Sequence, residues 1–192
     1  MTQIGLNLLI EQRYSPRSFQ TIALEQEKLD LLLLAATRAP SSSNVQPWRF
    51  LYAHHADIIN FQLFSDALSG NNRTWAPHAS ILMLSLALKN GPSGNPNRYA
   101  LHDTGAAVAN LSLQALHMGL FVHQMGGFEH EVVRQNLQIP EEVELGAMIA
   151  IGYLAHPNQL PTEMAETELK RTTRKPIEQI AMSGKFALSL LS

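Results

Sequence analysis

Residues 39–50 of the chain, APSSSNVQPWRF, form a polar connection between two segments of different pattern. Residues 24–37, before this connection, combine strong helix formers with an apolar stripe and predict a helix that Pro40 ends. Residues 48–53, at its far end, are typical of a β-strand. Because two prolines flank three serines and an asparagine, the sequence between helix and strand is predicted to be a loop.

The remaining chain continues this alternation of helices and strands. Further strands are predicted over residues 80–88, 120–125 and 145–153, and further helices over residues 4–13, 56–68, 98–118 and 129–137. A turn is predicted at residues 70–72. From about residue 157 the chain becomes polar and proline-bearing, which favours an extended arm over residues 157–192. We therefore predict one α+β domain over residues 1–192, with a C-terminal arm that could wrap a partner.

The composition excludes several classes of protein. Of the 192 residues, 45% are hydrophobic and only 16% are charged, which hints at apolar surface committed to a partner subunit. The net charge of −2 argues against nucleic-acid binding. Because the chain has no cysteine, disulfides, thiolate nucleophiles and Cys-ligated zinc are excluded. No signal peptide and no apolar run long enough to span a bilayer is seen, so a cytoplasmic protein without a membrane partner is expected.

The common motifs of nucleotide binding and hydrolysis are absent from the sequence. It contains no GxGxxG, GxxxxGK[ST], GxSxG or HExxH, so we expect no separate nicotinamide-binding domain. Eight histidines are present, but none forms the i, i+4 pair of a helical metal site. Solvated or hydrogen-bonded histidines explain them better, and we predict no metal site.

Residues 13–19, RYSPRSF, are a dense set of anion donors in a chain with few charges. Arginine offers a planar fork that suits phosphate oxygens, and serine hydroxyls add directional hydrogen bonds. Arginines that merely complement a helix C-terminus are an equally good explanation from the residues alone. Two other segments leave the same kind of choice open. Residues 39–50 could bind a polar heterocycle or could simply connect a helix to a strand. Residues 170–175, KRTTRK, could bind a phosphate or could form a solvated tail.

Taken together, these segments resemble the nitroreductase family of FMN-dependent oxidoreductases. The resemblance extends from residue 13 to residue 176 and depends on five motifs in order. They are RYSPRSF at residues 13–19, APSSSNVQPWRF at 39–50, HDTGAAVANLSLQALHMGL at 102–120 with HQMGGF at 123–128, the IxxGY pattern at 149–153, and RKP at 174–176. Each motif is short, and their order and spacing make the match specific.

The resemblance implies a nitroreductase-like α+β fold with a central, mostly antiparallel sheet flanked by helices. It also implies a homodimer with flavin sites at the interface and an exchanged C-terminal arm. The cofactor would be FMN, and NAD(P)H would be the electron donor. No catalytic side chain is implied, because the hydride chemistry belongs to the cofactor.

The resemblance also assigns cofactor-binding residues by position. Those implied for the phosphate and the flavin edge are Arg13, Tyr14 (through its backbone), Ser15, Arg17 and Arg174, with Arg171 or Lys175 as a helper. Those implied to lie against the flavin and ribityl chain, from the second subunit, are Pro40, Ser41, Ser42 and Asn44. Those implied along one face of the ring near N5 are Gln124, Met125, Gly126 and Gly127, with Asn72 or its neighbour Asn71 at the pyrimidine edge. Many family members have an acidic residue where Gly126 stands, so here only a backbone contact is implied.

The function implied by the resemblance is hydride transfer from NAD(P)H, through flavin N5, to nitro compounds, quinones or similar acceptors by a ping-pong mechanism. Two alternatives stay open at this point. The same flavin fold could act on another substrate, by enal or enone reduction or by dehalogenation. The chain could also be a non-catalytic flavin-binding redox sensor.

Overall fold

A four-stranded antiparallel sheet lies at the centre of the molecule. The computed structural model describes residues 5–170 and 173–185. The strands are β1 (Trp48–His54), β2 (Ile81–Leu88), β3 (Phe121–Met125) and β4 (Val143–Gly152). Their order in the sheet is β1-β2-β4-β3, and each neighbouring pair is antiparallel. The predicted strands are confirmed, and so is the predicted α+β class with a mainly antiparallel sheet.

Seven α-helices flank the sheet in the described part of the chain. They are α1 (Leu8–Gln12), α2 (Gln26–Ala36), α3 (Ile58–Ser65), α4 (Asn72–Trp75), α5 (Ala100–His117), α6 (His130–Asn136) and α7 (Thr162–Glu168). The sequence predicts all of them except α4 and α7. Helix α4 begins inside the segment predicted as a turn. A helix of a single turn is too short to show apolar periodicity, so the sequence does not predict it.

The two faces of the sheet are covered by different helices. Helices α2 and α5 pack on one face, and α3, α6 and the buried Trp75 pack on the other. Strand β2 has side chains in both layers: Ile81 and Met83 contact the first, and Leu82 and Leu84 contact the second. This double burial explains why β2 has a nearly continuous apolar sequence.

A polar residue in the middle of β2, Ser85, forms its side-chain hydrogen bonds with the neighbouring strand β4. The register between β2 and β4 shifts at Ser85, which is 2% exposed. The Ser85 hydroxyl donates to the carbonyl of Ala147 at 3.2 Å and accepts from its N–H at 2.9 Å. A Cβ on Gly146 would lie 2.5 Å from Ser85 Oγ and 2.8 Å from the Ser85 carbonyl oxygen. Ser85 and Gly146 together therefore let the two central strands stay paired across an irregular register.

The segment predicted as an arm is partly integrated into the core. Leu160 is buried, and Met164 and Ala165 of α7 pack against the cluster of α3 and α6. The prediction of an extended arm from residue 157 does not hold for residues 157–170, because these apolar contacts dock them on their own chain. Residues 173–185 are exposed along their length. Within the described ranges, no helix is both long and apolar enough to cross a membrane.

The Gly146→Ala variant is expected to destabilise the fold. The new Cβ would press on the backbone of Ser85, and overpacking of this kind costs about 1–3 kcal/mol. For a domain of this size, each kcal/mol lowers Tm by roughly 2–4 °C, which thermal unfolding by circular dichroism measures. Gly91→Ala is the control, because its Cβ would meet only the Asn95 carbonyl oxygen, at 3.8 Å. Equal melting temperatures for the two variants would contradict the proposed role of Gly146.

Candidate functional site

A cavity of about 400 Å³ lies between the segment that follows α1 and the C-terminal end of α7. Its charged lining consists of Glu11, Arg13, Arg17, Glu168, Lys170 and Arg174, joined by Tyr14, Ser15, His123 and Thr167. Among the described residues, four cationic side chains against two carboxylates give this cavity a formal charge of +2. The arrangement is suited to a small dianion, because arginine forks and hydroxyls are the usual donors to phosphate oxygens.

The residues after α1 are held in place by buried neighbours. The N–H of Arg13 caps α1 by donating to the Leu9 carbonyl at 3.1 Å, after which the backbone becomes extended. The hydroxyl of buried Ser18 donates to the His156 carbonyl at 2.8 Å. The Tyr14 ring lies edge-on to Phe121 of β3, with ring centroids 5.4 Å apart. These contacts place the predicted residues Arg13, Tyr14, Ser15 and Arg17 in one cavity wall.

Glu168, the last residue of α7, organises the opposite wall. One oxygen accepts from the backbone N–H of Arg17 at 2.6 Å, and the other lies 3.6 Å from Nη1 of the Arg17 guanidinium. The Glu168 side chain is only 5% exposed, whereas that of Arg17 is 36% exposed. The carboxylate therefore fixes the arginine backbone and leaves much of the guanidinium accessible from the cavity. No feature of the sequence around Glu168 marks it as part of a site.

The end of β3 brings a second group of predicted residues together. Asn72 Nδ2 donates to the Gly127 carbonyl at 2.9 Å. A Cβ at position 127 would lie 2.8 Å from that amide nitrogen, so any larger residue there would displace the Asn72 amide. A Cβ at Gly126 would meet nothing within 4 Å, which leaves open space beside exposed backbone. Met125 is buried and Gln124 is exposed.

The charged cavity and the two glycines are connected by one strand. His123 of β3 lines the cavity, and Gly126 follows three residues later. At the rise of an extended strand, these two positions are about 10 Å apart. A ligand with a phosphate in the cavity and a planar ring beside the glycines would lie along β3.

The serine-rich loop forms a separate, rigid element. It contains a short 3-10 helix (Ser42–Asn44), and three of its residues have positive φ, with values of 50°, 55° and 51° for Ser43, Asn44 and Gln46. Two hydrogen bonds hold this costly conformation. The buried Asp103 carboxylate of α5 accepts from the Ser42 N–H at 3.0 Å, and Ser41 Oγ accepts from the Gln46 N–H at 3.0 Å.

The structure thus groups most predicted site residues but not all of them. Arg13, Tyr14, Ser15, Arg17 and Arg174 share the cavity. Asn72 and Gly127 are in contact, with Gln124, Met125 and Gly126 directly before the second glycine. Residues 40–44 do not contribute to the lining of the charged cavity and are anchored to α5 instead. Arg171 lies outside the described residues.

Comparison with known proteins identifies the class of the molecule. A family model described as "Nitroreductase family" matches residues 10–86 and 69–153. A solved structure described as an oxidoreductase containing FMN is 34% identical, covers 97% of this chain and 96% of its own, and has a TM-score of 0.90. Protein DrgA from Synechocystis sp. is 30% identical over 74% of this chain and 81% of DrgA. A protein from Archaeoglobus fulgidus, provisionally named NADH dehydrogenase/NAD(P)H nitroreductase, is 27% identical over 76% of this chain and 83% of its own.

These matches define a flavin-dependent oxidoreductase. The chain belongs to the nitroreductase family, because the family model covers well over half of its length. The predicted family, fold and enzyme class are therefore confirmed.

Asp103→Ala is expected to release the serine-rich loop. The variant removes a hydrogen bond between a carboxylate and a backbone N–H, a bond whose loss costs about 1.5–3 kcal/mol. We expect the Ser42 amide to exchange with deuterium at least about tenfold faster. His102→Ala is the matched control: the 81%-exposed His102 contacts Asp103 through Nδ1 at 3.1 Å, and its removal leaves the bond to Ser42 intact. Unchanged exchange at Ser42 in Asp103→Ala would show that the carboxylate does not hold the loop.

Proposed function

We propose that this protein binds FMN and uses NAD(P)H to reduce nitro compounds, quinones or similar small acceptors. The observation that carries this proposal is the cavity of formal charge +2. Strand β3 leads from this cavity, at His123, to the exposed backbone of Gly126. The names of two relatives support the cofactor, the donor and the acceptor class. One is described as containing FMN, and the other is named an NAD(P)H nitroreductase.

The donor set of the cavity fits the phosphate of FMN. A phosphate monoester carries about −1.5 to −2 charges at neutral pH, which offsets the +2 of the cavity. Arg13, Arg17 and Arg174 would supply forked N–H donors, and Ser15 would supply a hydroxyl. Arg171 is proposed as a further helper. Glu168 approaches the Arg17 guanidinium at Nη1, at 3.6 Å, and the Arg17 side chain is 36% exposed, so its other N–H groups can still face the anion.

The residues at the end of β3 fit a planar ring. The missing side chain of Gly126 leaves open space in which a flat ligand can approach the backbone closely, and that of Gly127 leaves room for the Asn72 amide. Gln124 and Met125 would border the same face, and the Asn72 amide, which is held by the Gly127 carbonyl, would reach the ring edge. Bound FMN would supply hydride transfer by a ping-pong mechanism, with no side-chain acid or base required. The protein's part is to bind, orient and shield.

We propose that the chain folds as one domain and assembles as a homodimer. The outer face of α2 exposes Leu31 and Leu34 by 47% and 49%, and Tyr99 and Leu101 at the beginning of α5 are exposed by 45% and 48%. Leu31 and Leu34 line one cavity together with Leu113 of α5, so the apolar surface continues from α2 to α5 and indicates a partner surface. In a dimer the loop with Pro40, Ser41, Ser42 and Asn44 would complete the flavin site of the partner subunit. Any exchange of the C-terminal arm would begin after Lys170, since the chain is docked on its own core up to that point.

The spectrum and turnover of the purified protein test the proposed activity. We expect the visible absorption bands of oxidised flavin, release of FMN on denaturation, and steady oxidation of NADH or NADPH with a nitroarene or a quinone. A coloured protein without turnover would favour the redox sensor, and turnover with enones alone would favour the other substrate class. A protein that is colourless and does not bind added FMN would overturn the proposal.

Arg13→Ala and Arg17→Ala are each expected to weaken FMN binding by about tenfold to hundredfold, because each removes a charge-assisted hydrogen bond. Fluorescence titration of the flavin-free protein measures this effect. Riboflavin, which lacks the phosphate, should bind the variants and the native protein equally. Lys89→Ala controls for loss of a positive charge elsewhere, since Lys89 pairs with Glu144 at 3.4 Å and does not line the cavity. If both arginine variants bind FMN like the Lys89 control, the phosphate assignment is wrong.

Leu34→Asp is expected to convert the dimer into monomers and to lower FMN affinity at the same time, because the partner's loop is then missing. Sedimentation velocity measures the first effect, and flavin titration measures the second. Ile59→Asp is the matched control, since Ile59 of α3 is 80% exposed and lies on the opposite side of the sheet from α2 and α5. A native chain that sediments as a monomer while it holds FMN tightly would contradict the interface model.

A further inference from the structure

One imidazole in the charged cavity has no role in the assignments above. His123 lies in the middle of β3, between the cavity and the two glycines, and it lines the cavity together with Arg13 and Arg17. Its ring packs against the buried indole of Trp75, with centroids 4.5 Å apart. An imidazole held rigidly among arginines at an anion site is suited to contact the anion itself.

The hydrogen bond of His123 occupies one ring nitrogen and leaves the other for a ligand. Nδ1 lies 2.7 Å from the carbonyl oxygen of Pro16. Because a carbonyl only accepts, Nδ1 must carry a hydrogen in either charge state of the ring. Nε2 has no hydrogen-bond partner among residues 5–170 and 173–185. In the neutral ring Nε2 is an acceptor, and after protonation it is a donor.

The surroundings keep this ring neutral until an anion arrives. Burial is the main cause that lowers the pKa of His123 below its ordinary value, and the charge of Arg17 lowers it further. The Pro16 carbonyl and the Glu168 carboxylate oppose this shift but do not reverse it. The other charged groups of the cavity are Glu11, Arg13, Lys170 and Arg174. A dianion among these groups would offset the cations and favour the imidazolium.

We propose that His123 is a further cofactor-binding residue: Nε2 takes up a proton from solvent as the FMN phosphate enters the cavity, and it donates a hydrogen bond to that phosphate. This inference rests on the proposed FMN site. It makes FMN binding proton-coupled, so the affinity falls as the pH rises through the pKa of His123 in the complex. Riboflavin, without the phosphate, binds with no such coupling.

Two substitutions at this position separate the two nitrogens of the ring. In His123→Asn, the short amide can still donate to the Pro16 carbonyl, but nothing replaces Nε2. In His123→Gln, the longer amide places a donor near the position of Nε2 that does not titrate. The pair therefore distinguishes the contact with the ligand from the packing role of the ring.

The experiment is calorimetric titration of FMN into flavin-free protein at pH 7.5, in two buffers with different ionisation enthalpies. At this pH free FMN is essentially a dianion, because its second phosphate pKa is about 6. The native protein should take up protons on binding FMN, and His123→Asn should take up fewer and bind FMN about tenfold to hundredfold more weakly. His123→Gln should recover part of the affinity, with less dependence on pH between 6 and 8.5. All three proteins should bind riboflavin equally.

The outcomes separate this inference from the proposed function. If native protein binds FMN with the same affinity and proton uptake as His123→Asn, the role of His123 is overturned and the FMN site stands. If native protein does not bind FMN, both are overturned. Should His123→Asn fail to fold, the native protein decides by itself, since FMN binding without proton uptake at pH 7.5 would overturn the inference.

Discussion

The candidate site depends on the partial neutralisation of its cationic side chains by neighbouring carboxylates. Four cations converge on one small cavity, and in the folded chain they are balanced in part by two carboxylates. The nearly buried Glu168 is the essential one, because it binds the backbone and approaches the guanidinium of Arg17. A buried carboxylate is costly unless it is paired, and here the pairing also docks α7 on the wall of the cavity. The remaining excess of positive charge makes this wall suited to an anion.

The sheet relates this cavity to the rest of the candidate site. Strand β3 carries His123 in the charged region and ends at the two glycines, while its partner β4 lies beside the fully buried β2. Because β3 pairs with β4, and β4 pairs with β2, the central strands hold β3 and the site residues that it carries in place. The serine-rich loop receives its rigidity from α5 through Asp103, so two independent supports hold the two groups of predicted residues.

The sequence predicts those parts of the molecule whose signal is local. The continuous apolar run of β2 and the long amphipathic pattern of α5 indicate their elements directly, and RYSPRSF contains enough donors to indicate an anion site. Glu168 and His123 carry no such signal. Glu168 contacts a residue 151 positions away in sequence, and His123 contacts one 107 positions away. Only folding brings these pairs together, and α7 likewise depends on the packing of Met164 and Ala165 rather than on its polar composition.

The position of α7 has a practical consequence for handling this protein. Lys170 and Arg174, half of the cationic groups in the cavity, belong to the stretch that follows this helix. A protease cut or a displacing fusion just beyond α7 would remove both and leave two arginines opposite two glutamates, with no net charge. If FMN binds in this cavity as proposed, preparations that differ only in how their tails are trimmed would differ in how much of the yellow cofactor they retain.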